Sequence, residues 1–184
     1  MKMKTLTKLV TSAVLLAGLI TIIPGCKKDN PQGYMTVKMT DAPAEYKEVN
    51  VEIIGLSIHT ATKGWLNVHV NKGIYNLLDL RNNVTVVLAD KSILPVGKAT
   101  QIRLQLGTHN SILVDEMPVE LKVPSGEESG LKININETIE NGQQNTIILD
   151  FDAKESIVEG TQGNYILKPV IRVKSSESVS VGPL

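Results

Sequence analysis

The sequence predicts an all-β protein, an antiparallel β-sandwich, and three observations carry that prediction. Apolar and polar residues alternate along most of the chain after residue 33, which is the period of a strand with one face buried. Turn residues interrupt these runs at short intervals, at Thr62–Gly64, Arg81–Asn83, Pro95–Gly97, Pro124–Gly126, Asn141–Gly142 and Gly160–Gly163. Between the runs there is no stretch with the length and spacing of a long helix, so the strands have to pack on one another.

In chain order, Met35, Val37 and Met39 define the first strand, alternating with Thr36, Lys38 and Thr40. In the next, VNVEIIGLSIHT (49–60), the apolar phase changes between Ile53 and Ile54, and Gly55 beside the switch predicts a bulge. Between these two strands, in TDAPAEYKEV, Asp41 is placed to cap a turn and Pro43 suits its first position. One short helical turn is therefore predicted near residues 41–46. Further strands follow from Ile102, Leu104 and Leu106; Val119, Leu121 and Val123; Leu131, Ile133 and Ile135; and Ile147, Leu149 and Phe151. The last is Tyr165, Leu167, Pro169, Ile171 and Val173, where Pro169 removes a ladder donor and so predicts an edge or a bulge.

The N-terminus is of a different kind. Lys2, Lys4 and Lys8 precede an apolar run from Leu9 to Ile23, too short and too often broken by Thr and Ser for a permanent span, and suited to a cleaved secretory signal. The order Ile23, Pro24, Gly25, Cys26 resembles the bacterial lipobox, in which the cysteine is joined to diacylglycerol and becomes the new, acylated N-terminus. Several acyl chains hold a protein on a membrane where one holds it only marginally. The expected organisation is a lipoprotein signal peptide (1–25), lipidated Cys26 and a flexible tether (26–33), one β-sandwich domain (34–174) and a polar C-terminal tail (175–184).

Cleavage before Cys26 would remove three lysines and no acid, leaving 16 Lys plus Arg against 19 Asp plus Glu, a net charge of −3. No basic run is longer than two residues, which argues against a nucleic-acid partner. With its one cysteine acylated the mature chain forms no disulfide, and a body of about 150 residues is long enough to bury a sufficient core without one.

Residues that could carry chemistry are few. His59, His69 and His109 lack the close spacing of a zinc site, and Ser125 and Ser129 in PSGEESG lack the strand-to-helix context of a nucleophile elbow. Asp150 and Asp152 lie two apart on a predicted strand and would share one face. They could act as oxygen ligands for calcium, which Asp41 and Asp79 would join if strand ends converge, as paired acids of a hydrolase, or as ion-pair partners of Arg103, Lys168 or Arg172. Of the six aromatic residues, Trp65 with Tyr46 or Tyr75 would make a platform for stacking sugars, the other use of Trp65 being core packing.

The body from about Gly33 to Val173 resembles the bacterial lipoprotein family known as domain of unknown function 4382. The likeness is carried by TDAP (40–43), GW (64–65), YNLLDL (75–80), QIRLQL (101–106), PSGEESG (124–130), LDFDA (149–153) and LKPVIRV (167–173). It implies a secreted, lipid-anchored β-sandwich with a transthyretin-like or carbohydrate-binding-like architecture, found in Bacteroidetes and other bacteria, and it supplies no catalytic residues. The leading expectation is a non-catalytic binding module of the cell envelope, on the outer membrane, with a glycan as ligand. The alternatives are an adhesive component that pairs an edge strand with another envelope protein, and a hydrolase using Asp150 and Asp152.

Overall fold

A computed structural model of the chain describes residues 30–42, 44–124 and 130–180; Cys26 and the leader before it, Pro43, Ser125 and Ser129 lie outside the described residues. The strands run β1 (Gln32–Asp41), β2 (Val49–Thr60), β3 (Gly64–Asn67), β4 (Gly73–Asn76), β5 (Val86–Pro95), β6 (Gly97–Leu106), β7 (Ser111–Val114), β8 (Met117–Lys122), β9 (Leu131–Ile139), β10 (Gln143–Phe151), β11 (Ile157–Glu159), β12 (Tyr165–Leu167) and β13 (Ile171–Ser180). They form an all-β sandwich of two sheets. One has the order β13-β10-β1-β5; the other has the order β11-β12-β8-β7-β2-β6-β9, with β3 and β4 also paired to β2. Both sheets are mixed and not purely antiparallel, because β1 runs parallel to β10 and β8 parallel to β12. No described helix is long and apolar enough to cross a membrane.

The alternation in the sequence becomes the packing. Met35, Val37 and Met39 of β1, with Ile147, Leu149 and Phe151 of β10, are fully buried, and they face Ile53 and Ile58 of β2 with Ile102 and Leu104 of β6 from the other sheet. Each such side chain contributes roughly 1.5–3 kcal/mol on leaving water. The phase change in β2 is a bulge: Ile53 opposes Leu106 and Gly55 opposes Gln105, so Ile54 is extra, and it is exposed while Ile53 is fully buried. A Cβ at Gly55 would lie 2.0 Å from the Gln105 side-chain oxygen, so a larger residue here would have to displace the Gln105 side chain.

Three expectations need correction. Among the described residues of 41–46 there is no helical turn: Asp41 is the last residue of β1, and Ala44–Lys47 are bends and irregular chain. Its carboxylate does cap a helical turn, but a distant one, accepting the Ala153 N–H of α1 (Ala153–Ser156) at 3.0 Å. The tail from residue 175 is strand as far as Ser180, paired along β10; its polarity reflects exposure on an edge. Gln32 and Gly33, expected in the tether, belong to β1, and Gly33 is buried with a Cβ position only 2.5 Å from the Glu140 carbonyl oxygen. Pro169 is the point where the chain leaves β12 in one sheet and enters β13 at the edge of the other, so the missing donor falls at the crossover.

Candidate ligand-binding face

Trp65 is placed by a hairpin. Gly64, at φ +67°, turns the chain into β3, and Trp65 comes to lie opposite His59 of β2. After the bulge, Leu56, Ile58 and Thr60 point into the core, so Ser57 and His59 point outward, and Trp65 follows them to the outer face. Here it is half-buried. The His59 ring meets it edge-on at a centroid distance of 5.1 Å, and the Arg103 guanidinium carbon sits 4.1 Å from its ring centroid. The indole therefore neither fills the core nor stands as a bare platform. A cation–π contact of this kind is worth about 0.5–1 kcal/mol where water has access.

Around this stack the outer face is built from amides, hydroxyls and cations. Ser57 Oγ donates to Asn67 Oδ1 at 2.7 Å, and Gln101 Nε2 donates to Asn134 Oδ1 at 2.8 Å. His59 Nδ1 lies 2.8 Å from Thr100 Oγ1, and Lys98 Nζ donates to Asn136 Oδ1 at 3.3 Å. Arg103 pairs in register with Lys132. Its Nε is buried with no partner, so a donor is held there unsatisfied. Beside this surface opens a groove of about 750 Å³, lined by Ile54–Leu56, Asn67–Lys72 and Gln105, with no carboxylate among its lining residues.

The other two aromatic candidates do not join Trp65. Tyr75 in β4 lies opposite Val51, eight residues along β2 from His59, a distance of about 27 Å at roughly 3.4 Å per residue. Val51 faces the core, so Tyr75 packs inward, donating its phenol to the Asn71 carbonyl oxygen at 2.5 Å, and burial raises its pKa. Tyr46 is half-buried against the core; burial raises its pKa, and proximity to Tyr165 adds to the effect. Sequence reasoning treated Arg103 only as an ion-pair partner for the aspartates. Its real neighbour, Trp65, is two strands away through β2, which no local pattern shows.

Asp150 and Asp152 have separate roles. β10 ends at Phe151, so Asp152 leaves the strand and becomes the N-cap of α1, accepting Glu155 N–H at 2.9 Å on Oδ1 and Arg172 Nη1 at 3.3 Å on Oδ2. Arg172 also donates to Glu155 at 2.5 Å, and these carboxylates raise its pKa. Asp150 stays in the strand opposite Thr40 and Arg172, with Oδ1 buried and unpartnered. Asp41 does join this end of the sheet. Burial, its largest influence, and the charges of Asp150 and Asp152 push its pKa up to about 6, opposed by the Ala153 N–H. Its Oδ2 is buried without a partner. Among the described residues no set of three His, Cys, Asp or Glu is arranged to hold a metal ion, and Asp79 instead lies in the 3-10 turn Leu77–Leu80.

No curated protein and no solved structure matches the chain. One family model does, over residues 32–169, which span both sheets from β1 to the β12–β13 crossover and take in the Trp65 face as well as the aspartate cluster. The chain thus belongs to the family described as Domain of unknown function (DUF4382).

Proposed function

We propose that this protein is a lipid-anchored, extracytoplasmic binding module that takes a neutral or acidic glycan on the outer face of β3, β2, β6 and β9. The observation that carries the reading is the chemistry of that face. Trp65, Arg103, Gln101, Gln105, Asn67 and Asn134 offer donors, amide acceptors and one aromatic surface, and the groove beside them is lined without an acid. In a mature chain of net charge −3, a groove lined without a carboxylate favours ligands that bear hydroxyls or carboxylates over cationic ones. The Arg103 guanidinium, stacked on Trp65, supplies a planar donor set suited to a uronate carboxylate. The anchor rests on Cys26 and the apolar leader before it.

The test is a glycan array probed with the full-length protein in detergent, covering neutral, uronate-containing and amino-sugar polysaccharides. Binding to the first two classes is expected, with the uronate preference lost in Arg103→Ala and all binding weakened in Trp65→Ala. Retention of full binding in both variants would remove this face as the site.

A further inference from the structure

We propose that the end of the sandwich where β1 begins is a membrane-contact surface, resting on the lipid headgroups with Tyr34, Ile93 and Val179 turned toward them. The proposal rests on Cys26 carrying the anchor and adds what that anchor does to the folded body.

The first argument is reach. Only four residue steps separate Cys26 from Asn30, a span of about 14 Å when fully extended. The chain gains no slack beyond that point. The Pro31 carbonyl accepts Val96 N–H at 3.3 Å, Gln32 N–H donates to Asn141 Oδ1 at 3.1 Å, and the Gln32 carbonyl accepts Gly142 N–H at 2.9 Å. Each headgroup layer is about 5–7 Å thick, so a diacylglycerol-linked Cys26 holds Asn30 within about one further headgroup thickness of the surface. The β1 end of the body is therefore held within that distance of the lipid.

The second argument is what that end presents. In the register of the four-stranded sheet, Val179 of β13, Gln144 of β10, Tyr34 of β1 and Ile93 of β5 form a single row across the outer face. Ile93, 61% exposed, lies beside half-buried Tyr34, and Val179, 64% exposed, lies on its other side beyond Gln144. The row lies within two residues of where β1, β10 and β5 meet the turns at this end, or about 7 Å. Apolar side chains around a tyrosine suit the boundary between headgroups and acyl chains. A groove of about 480 Å³ opens at the same end between Pro31, Leu66 and Ile93–Val96, and Lys63 also lines it. Exposure alone would not single out this row, because Ile74, at 57%, is nearly as exposed near the other end of β2. What distinguishes the two is distance from the anchor.

The test uses full-length lipidated protein carrying a single added cysteine, Ile93→Cys or Val179→Cys, with Ile74→Cys as the distant reporter. An acylated Cys26 is silent to maleimide. In sheared membrane fragments open on both sides, maleimide should modify positions 93 and 179 several-fold more slowly than position 74. In phosphatidylethanolamine–phosphatidylglycerol vesicles, nitroxide-labelled lipid should quench a fluorophore at 93 and spare one at 74. Equal labelling and equal quenching, with the protein still in the membrane fraction, would overturn the proposal and leave the anchor standing. Protection at 93 that disappears when the protein is diluted in lipid would assign the row to a second copy of the chain and equally overturn it. Labelling of wild-type Cys26 in an aqueous fraction would instead show that the anchor itself is wrong.

Discussion

Replacing Asp41 with Asn should stabilise this protein, and by an amount that depends on pH. The native carboxyl titrates at about 6 against an ordinary value of 3.8, so the folded state holds the proton more tightly than the unfolded chain does. The resulting contribution to stability is fully present below pH 3.8 and is lost as pH rises through about 6. The difference of about 2.2, at 1.36 kcal/mol for each, makes ionised Asp41 cost the native state up to about 3 kcal/mol near neutrality. An Asn cannot ionise. Its oxygen still accepts the Ala153 N–H, and its NH₂ replaces the buried, unpartnered Oδ2 close to the carboxylates of Asp150 and Asp152. Urea unfolding of wild type and Asp41→Asn from about pH 4 to about pH 8 measures this directly. The two should be nearly equal at the acid end, and the variant should be ahead by up to about 3 kcal/mol at the alkaline end. A variant that is less stable than wild type at pH 8, or a difference that does not change with pH, would show that Asp41 is held ionised by a partner and refute the reasoning.

Two further substitutions test how the ends of β1 are held. Gly33→Ala places a methyl 2.5 Å from the Glu140 carbonyl oxygen and 2.8 Å from Ile139 Cγ2, so the β9–β10 turn has to move. Overpacking of this kind costs about 1–3 kcal/mol, read as a lower urea midpoint at unchanged slope; an unchanged midpoint would mean that the turn yields freely. Thr40→Val keeps the shape of a fully buried side chain but removes the hydroxyl that lies 2.8 Å from both the Leu80 and Val84 carbonyl oxygens. A loss of about 1–3 kcal/mol is expected, with faster amide exchange confined to residues 77–84. Exchange that rises uniformly across the sandwich would place the role of Thr40 elsewhere.

The strands legible in the sequence were those whose alternation is unbroken. β1, β10 and the second half of β6, from Gln101, read cleanly because buried residues recur there at every second position. β5 did not: Asp90 and Lys91 are both exposed in mid-strand, with Lys91 at φ +40° and two register shifts against β1, so VVLADKSILP has no period to find. β7 was hidden for another reason. Its hairpin to β8 turns on Asp115 and Glu116, both at positive φ, where Gly or Asn would have signalled the turn. The bulge in β2 was readable because the two apolar phases sit side by side in one short run. Of the candidate site residues, Trp65 was identified, but its environment was not, since Arg103 reaches it only through the pairing of β6 with β2. Asp41 was misassigned because a capping motif and a strand end begin with the same residues, and its true partner, Ala153, lies 112 positions away.

The proposed anchor and the proposed binding face would constrain each other through the geometry of a two-layer fold. The outer surfaces of the two sheets point in opposite directions across a core about 10 Å thick. Tyr34, Ile93 and Val179 lie on the outer surface of the four-stranded sheet, and Trp65, Arg103 and Gln105 on that of the other. Trp65 sits beside the β2–β3 turn, at the end of the sandwich where β1 begins, so a body standing upright on the proposed anchor would hold the indole close to the headgroups. A polysaccharide could then reach it only by passing along the membrane. Tilting the body onto the Tyr34 row would remove that obstruction: the four-stranded sheet would lean toward the lipid and the Trp65 face would turn away from it. The groove from Asn67 to Lys72 then opens outward. With Cys26 acylated and a glycan held at Trp65, both as proposed, the tilted pose would give a large ligand the freest access, and the exposed Ile93 and Val179 and the polar face opposite them would then serve one arrangement.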